Sequence, residues 1–267
     1  MKSIQGVGLP EVISLYSGPQ GEFMQLLFGQ QLHIGGMHAS LDLASRAGIG
    51  PGQKGVDLCC CNGAGMRCLI RFCSVASMIG VDATEAVVER GRKRGRDEGL
   101  EDKISFVVAD ACQSGLSSAS ADFVWGEDAW CYVPDKPKLI AEAARIVRPG
   151  GAIAFTDWVE GPVELSEAEA QRFLGMMSFA NVEDVGGYMR LLRNAGCEVI
   201  VAEDTGRFPE HMDLCLKMIE IQLTYDVLAT LAFRGDLLQT LVEGFSFMRD
   251  ISRARKIVQA RFIARRK

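Results

Sequence analysis

The sequence predicts an α/β fold: a doubly wound, mostly parallel seven-stranded sheet with an N-terminal helical lid and a helical cap inserted before the last strand. Three observations predict it. Residues Gly55 to Gly65 read Gly-Val-Asp-Leu-Cys-Cys-Cys-Asn-Gly-Ala-Gly, a buried strand running into a glycine turn that can open a helix. From Val56 to Trp158, short apolar runs alternate with amphipathic stretches at regular spacing, the pattern of strands joined by crossover helices. Acids close these runs, at Asp82, Asp110, Glu127, Asp128 and Asp157, where a parallel sheet places its site.

Residues 1–50 precede the sheet. Glu11–Tyr16 and Glu22–Gln30 have helical spacing and are separated by Gly18-Pro19. Leu32-His33-Ile34-Gly35-Gly36 reads as a loop that permits close approach to a ligand, and Ser40–Ala47 reads as a helix stopped by Gly48. The alternation then gives strand 56–60, helix 64–73, strand 77–82 and helix 84–98, followed by strand 104–108 and strand 123–125. Pro134 can open a helix reaching Val147, Pro149-Gly150-Gly151 closes it, and Ala152–Thr156 is the fifth strand. Beyond Trp158 come helices in 167–179 and 182–194, a sixth strand at 197–202, helical spacing over 208–255 and a final strand at 258–264. Residues 1–50 are therefore read as the lid, 51–205 as a nucleoside-cofactor-binding core, and 206–267 as the cap plus a strand completing the same sheet.

The net charge of −5 over 267 residues provides no basic footprint for nucleic acid. Arg261, Arg265, Arg266 and Lys267 are read as a solvated strand end and tail. No apolar run approaches the ~20 residues that span a bilayer, and Met1-Lys2-Ser3 leads into no signal-peptide core, so a cytoplasmic protein with no membrane partner is expected. The nine cysteines include no Cys-x-x-Cys pair, and three are consecutive, so they are read as reduced packing thiols with no metal. His33 and His38 are loop histidines able either to act on a substrate or to be solvated. A homodimer is left open.

Gly63-Ala64-Gly65-Met66-Arg67-Cys68 on its own is an incomplete dinucleotide fingerprint, lacking its third glycine. Asp57, Gly63, Asp82, Asp110-Ala111 and Arg148-Pro149-Gly150-Gly151, taken in order, resemble the successive motifs of the class I S-adenosylmethionine (SAM)-dependent methyltransferases over about residues 30–200. The resemblance implies a Rossmann-like methyltransferase fold with SAM as cofactor, bound by Asp57, Cys59, Asn62, Gly63, Asp82, Ala83, Asp110, Ala111 and Glu127. SAM is cationic, and carboxylates suit it where a pyrophosphate would need N–H groups and cations. Cys61 departs from the family pattern, because a side chain there must avoid the methionine end and does not easily adopt positive φ.

Residues 126–135, the Leu-His-Ile-Gly-Gly loop and the late cap resemble the small-molecule branch that includes sarcosine/dimethylglycine and phosphoethanolamine N-methyltransferases. Where that branch often has a histidine this chain has Tyr132. The candidate catalytic residues are Tyr132, His33 and Glu127, with Trp130, Trp158, Tyr188 and Tyr16 as candidate acceptor contacts. Aromatic faces suit a methylated ammonium, whereas the apolar cap suits a bulkier natural product. N-methylation of a small amine, O- or C-methylation of a larger metabolite, and a catalytically silent SAM-binding module are the readings carried forward.

Overall fold

The apolar runs assemble into one central sheet in the computed structural model, which describes residues 1–267 with the side chains at positions 19 and 20 left aside. In chain order come β1 (Lys2–Ser3), α1 (Leu9–Ser17), α2 (Pro19–Phe28), α3 (Gly36–Ala47), β2 (Lys54–Leu58), α4 (Ala64–Cys73) and β3 (Ser77–Asp82). Next are α5 (Glu85–Asp97), β4 (Ile104–Val108), β5 (Ala121–Glu127), α6 (Lys136–Ile146), β6 (Val147–Glu160), α7 (Glu167–Met177) and β7 (Asn181–Val182). The chain ends with α8 (Val185–Asn194), β8 (Cys197–Asp204), α9 (Phe208–Lys217), α10 (Thr224–Thr230), α11 (Gly235–Arg253) and β9 (Ile257–Arg266).

Seven strands pair in the order β4-β3-β2-β5-β6-β9-β8. The first five are mutually parallel, and β9 runs antiparallel between β6 and β8. Strand order reverses between β2 and β5, which opens a crevice at their C-terminal ends. One face of the sheet buries Val124, Phe155 and Phe262 with α6 and α8 residues such as Ile140 and Leu192. The other buries Phe123 and Trp125 with Leu43 of α3 and Leu69 of α4. A third apolar cluster joins Phe23 and Leu27 of α2 to Phe208 and Met212 of α9 and Phe245 of α11, around Trp158 at the end of β6. The N-terminal and C-terminal helices therefore share a core.

Several boundaries differ from the sequence reading. The first sheet strand ends at Leu58, which leaves all three consecutive cysteines in the turn beyond it. β6 is much longer than 152–156, because Val147 already pairs with Ala121 and the Pro-Gly-Gly stretch lies inside the strand. Pro134 does not open α6; Asp135 caps it, its Oδ1 accepting from Lys138 N at 3.0 Å. α3 starts at Gly36, following the left-handed Gly35 (φ 90°), so part of the expected loop is helical. The short β1–β7 pair carried no sequence signal. Of the basic C-terminal residues, Lys267 is exposed as expected, but the three arginines are not solvated. Arg261 is buried and ion-paired with Asp42 and Glu203, Arg265 donates to Ala47 O, and Arg266 donates to Val147 O.

Candidate functional site

A cavity of about 280 Å³ lies over the C-terminal ends of β2, β3 and β5, roofed by α1 and the 30–33 segment. Asp57, Cys59, Asn62, Asp82, Ala83, Asp110, Ala111 and Glu127 all line it. Gly63 does not: it is a left-handed turn residue (φ 72°), and a Cβ there would stand 2.7 Å from the Phe106 ring. Its role is turn geometry and packing, and Gly65 occupies the wall in its place.

The turn itself is tightly wound. Cys59 (φ 65°) and Cys61 (φ 47°) both adopt the left-handed conformation that the sequence reading considered difficult for Cys61. Each costs about 1–2 kcal/mol relative to a glycine, and local hydrogen bonds offset this. Cys59 N donates to Val81 O at 2.8 Å, and Cys61 N donates to Asp82 Oδ2 at 2.9 Å. Asp82 Oδ1 accepts from Thr84 N at 2.9 Å, so this carboxylate ties the β2 turn to the start of α5.

Asp57 and Glu127 converge above Gly65. A Cβ at that glycine would sit 3.0 Å from Glu127 Oε2 and 3.5 Å from Asp57 Oδ2. Trp125 Nε1 donates to Glu127 Oε2 at 3.1 Å, while buried Glu127 Oε1 accepts no hydrogen bond and faces His33 Nε2 at 3.4 Å. Burial pushes the Asp57 carboxyl well above the usual range, and the charges of Glu127 and Asp82 push it the same way. Burial also raises Glu127, opposed by His33, and raises Asp82, opposed by its two backbone donors. A cation placed among these carboxylates would relieve the cost of their burial. The donor set thus fits the positively charged end of SAM.

His33 is buried, with Nε2 3.1 Å from Ser40 Oγ and Nδ1 3.4 Å from Ile34 O. Gln31 Nε2 donates to the same Ser40 Oγ at 3.3 Å. His38 is exposed on α3 and lies outside the cavity. Tyr132 and Tyr16 both line the cavity, their rings meeting edge to face at 5.3 Å. Burial raises the Tyr132 phenol, so it is not a base near neutrality. Asp128 lines the cavity too, but its Oδ2 accepts from Ile34 N at 2.8 Å and from Gln259 Nε2 at 2.8 Å. It fastens the 32–36 loop to β9.

Three of the four expected acceptor contacts are core residues. Trp130 is wholly buried, stacked on Phe155 at 4.1 Å, with Nε1 donating to Leu58 O at 3.1 Å. Trp158 packs against Phe208 at 4.7 Å and between Phe173 and Phe179. Tyr188 is buried and donates to Asp157 Oδ2 at 2.5 Å. Asp157, counted with the rim acids, is likewise fully buried beneath the site, and its Oδ1 accepts from Cys131 N at 2.9 Å. Of the four, only Tyr16 reaches the cavity. Gly65 lines it from the turn where the sequence placed it, whereas sequence reasoning missed Thr84, Gln30, Gln31 and the α1 residues Leu9 and Val12, all of which line it. The helical spacing of α1 marked an apolar face without saying what it covers.

Burial pushes the Asp157 carboxyl up to about 6. An acid raised on folding stabilises the native state when protonated. That contribution is complete below the ordinary value of about 4 and is lost as pH rises through about 6. Urea midpoints should therefore fall between these pH values in the wild type. In Asp157→Asn, which keeps an acceptor for Cys131 N–H and does not titrate, they should fall less. Parallel profiles for the two proteins would contradict the assignment.

A methyltransferase domain model matches residues 56–155. The chain is 30% identical over 207 residues to the 27-O-demethylrifamycin SV methyltransferase of Amycolatopsis mediterranei, covering 70% of this chain and 74% of that protein. It is 27% identical over 205 residues to the methyltransferase GfsG of Streptomyces halstedii, covering 71% and 73% respectively. Among solved structures, Haemonchus contortus phosphoethanolamine N-methyltransferase 2, in complex with phosphomonomethylethanolamine and S-adenosylhomocysteine, matches with a TM-score of 0.83 at 21% identity. That match covers 96% of this chain and 59% of the other, and it shows a shared fold.

Proposed function

Because this chain belongs to the SAM-dependent methyltransferases, we propose that it methylates a hydroxyl group on an apolar small-molecule acceptor. Bound in the cavity, SAM supplies an electrophilic methyl group on a sulfonium. Asp57 and Glu127 would hold the ammonium end, on the strength of their shared approach to Gly65. Asp82 has one backbone donor on each carboxylate oxygen, leaving a lone pair on each for the ribose hydroxyls. Asp110 and the Ala111 N–H would meet the adenine, with Cys59, Asn62 and Ala83 along the same wall.

The observation that carries the acceptor class is the buried His33–Glu127 pair beside an apolar wall of Val12, Leu32 and Tyr132. An imidazole next to a carboxylate suits removal of a hydroxyl proton, since histidine is the side chain that ordinarily titrates near neutrality. Ser40 and Glu127 both face Nε2, so Ser40 must rotate and Glu127 must turn to the SAM ammonium before that nitrogen can accept a proton from an acceptor. Val12, Leu32 and Tyr132 would exclude water and align the oxygen with the methyl group. With Trp130 and Trp158 in the core, a trimethylammonium cage would have only Tyr16 and Tyr132 to draw on. The paired tyrosines keep N-methylation of a small amine as the second reading.

The lid at 1–50, core at 51–205 and cap at 206–267 remain our division of the chain. A cytoplasmic location belongs to the same proposal and is supported by nine free thiols. Among the described residues no helix is long and apolar enough to cross a membrane.

The test is product formation from labelled SAM with a panel of phenols and hydroxylated macrolides set against sarcosine and dimethylglycine. Transfer to the hydroxylated acceptors is expected. His33→Asn should lower kcat by about 10²–10⁴-fold with S-adenosylhomocysteine affinity nearly unchanged. Transfer confined to the amines would reverse the order of the two readings.

A further inference from the structure

Lys136, the first residue of α6, is a buried lysine that the chemistry above does not use. It is 1% exposed, and no carboxylate lies within ion-pair distance among the described residues. Its Nζ is instead surrounded by neutral oxygens: Asn181 Oδ1 at 2.5 Å, Val133 O at 3.1 Å, Asn181 O at 3.4 Å and Cys131 O at 3.5 Å. Asn181 Nδ2 donates to Pro134 O at 2.8 Å. Asp157 Oδ1 accepts from Cys131 N at 2.9 Å.

These bonds act on a single short segment. Residues 131, 133 and 134 all turn their carbonyls inward to the Lys136–Asn181 pair. Tyr132, Val133 and Pro134 meanwhile form part of the cavity wall. A methionine could fill the same volume without desolvating a charge, so packing alone does not account for an ammonium here. The ammonium supplies donors to carbonyls that would otherwise be buried and unpaired. Without it the segment must rotate toward water, carrying its side chains with it.

We propose that Lys136 is a positioning residue: its caged ammonium, with Asn181, fixes residues 131–134 as a rigid wall of the cofactor cavity. This rests on the cavity being the SAM site. Asp157 and Glu183 are the acids that act on Lys136 at longer range, and they help keep it charged against the effect of burial.

The test uses S-adenosylhomocysteine as probe, by calorimetry, together with amide hydrogen exchange. Lys136→Met should bind it at least about tenfold more weakly, with faster exchange at residues 131–135. Leu139→Ala, a core truncation on the same helix, lowers stability without touching the cage, and its affinity should stay within about twofold of wild type. Asn181→Ala removes one of the oxygens and the Pro134 bond, and it gives a milder loss of affinity should Lys136→Met fail to fold. The proposal is overturned if both cage variants bind as tightly as Leu139→Ala. Wild-type protein that does not bind the probe would overturn the cofactor assignment of the cavity instead.

Discussion

Replacing Asp57 by Asn and Glu127 by Gln together is expected to weaken SAM binding by about 2–5 kcal/mol, roughly thirtyfold to several-thousandfold. The two carboxylates meet over Gly65, where nothing larger than hydrogen leaves their oxygens free. The unbonded Glu127 oxygen faces His33 Nε2 at 3.4 Å. A ligand ammonium placed between them recovers charge that burial has made costly. The same electrostatics links binding to pH. Both carboxyls are raised, so part of the free protein carries protons that a bound cation must expel. Affinity should therefore fall as pH drops through the raised range, with net proton release on binding in calorimetry across buffers of different ionisation enthalpy. The double variant should lose both the affinity and the proton release. Wild-type affinity in the double variant would place the ammonium elsewhere.

The fold was legible because a parallel sheet writes itself into the chain as apolar runs closed by acids. α4, β3 and β4 fall on the residues expected from periodicity. The ends of β6 were not legible. Pro149-Gly150-Gly151 reads as a loop locally, and only pairing with β5 and β9 makes it strand. The acidic wall of the cavity was legible in the same way, since Asp57, Asp82 and Glu127 sit at strand ends fixed by topology. How Cys61 is held in its left-handed turn was not legible, because its N–H donates to Asp82, 21 residues away. The acceptor side was poorly legible for a related reason. An aromatic residue after a strand can face the ligand or the core, and the one-dimensional pattern is identical. Trp130 and Tyr188 are settled by the partners of their polar atoms, Leu58 O and Asp157, which only the fold brings near. The α1 wall is covered by residues whose spacing says helix and nothing more.

Trp130→Ala should therefore behave as a core mutation, costing about 3–5 kcal/mol of unfolding free energy. Its ring stacks on Phe155 at 4.1 Å, and Phe155 stacks in turn on Phe262 of β9 at 4.6 Å, so truncation opens a void in the middle of the sheet face. Gly126 shows how closely the ring is seated, because a Cβ there would stand 2.3 Å from Trp130 Nε1. Trp130→Phe keeps an aromatic ring but strands Leu58 O, and about 1–3 kcal/mol of loss is expected from that alone. Chemical denaturation measures both. A residue of an acceptor cage would give the opposite result, with stability nearly intact and acceptor KM raised. Leu58 is the last residue of β2, and the turn carrying Cys59 to Gly65 follows it directly. The indole bond therefore anchors the strand end from which the cofactor turn departs. Loosening it should also lower S-adenosylhomocysteine affinity in Trp130→Phe, where the fold survives, before any effect on the choice of acceptor is felt.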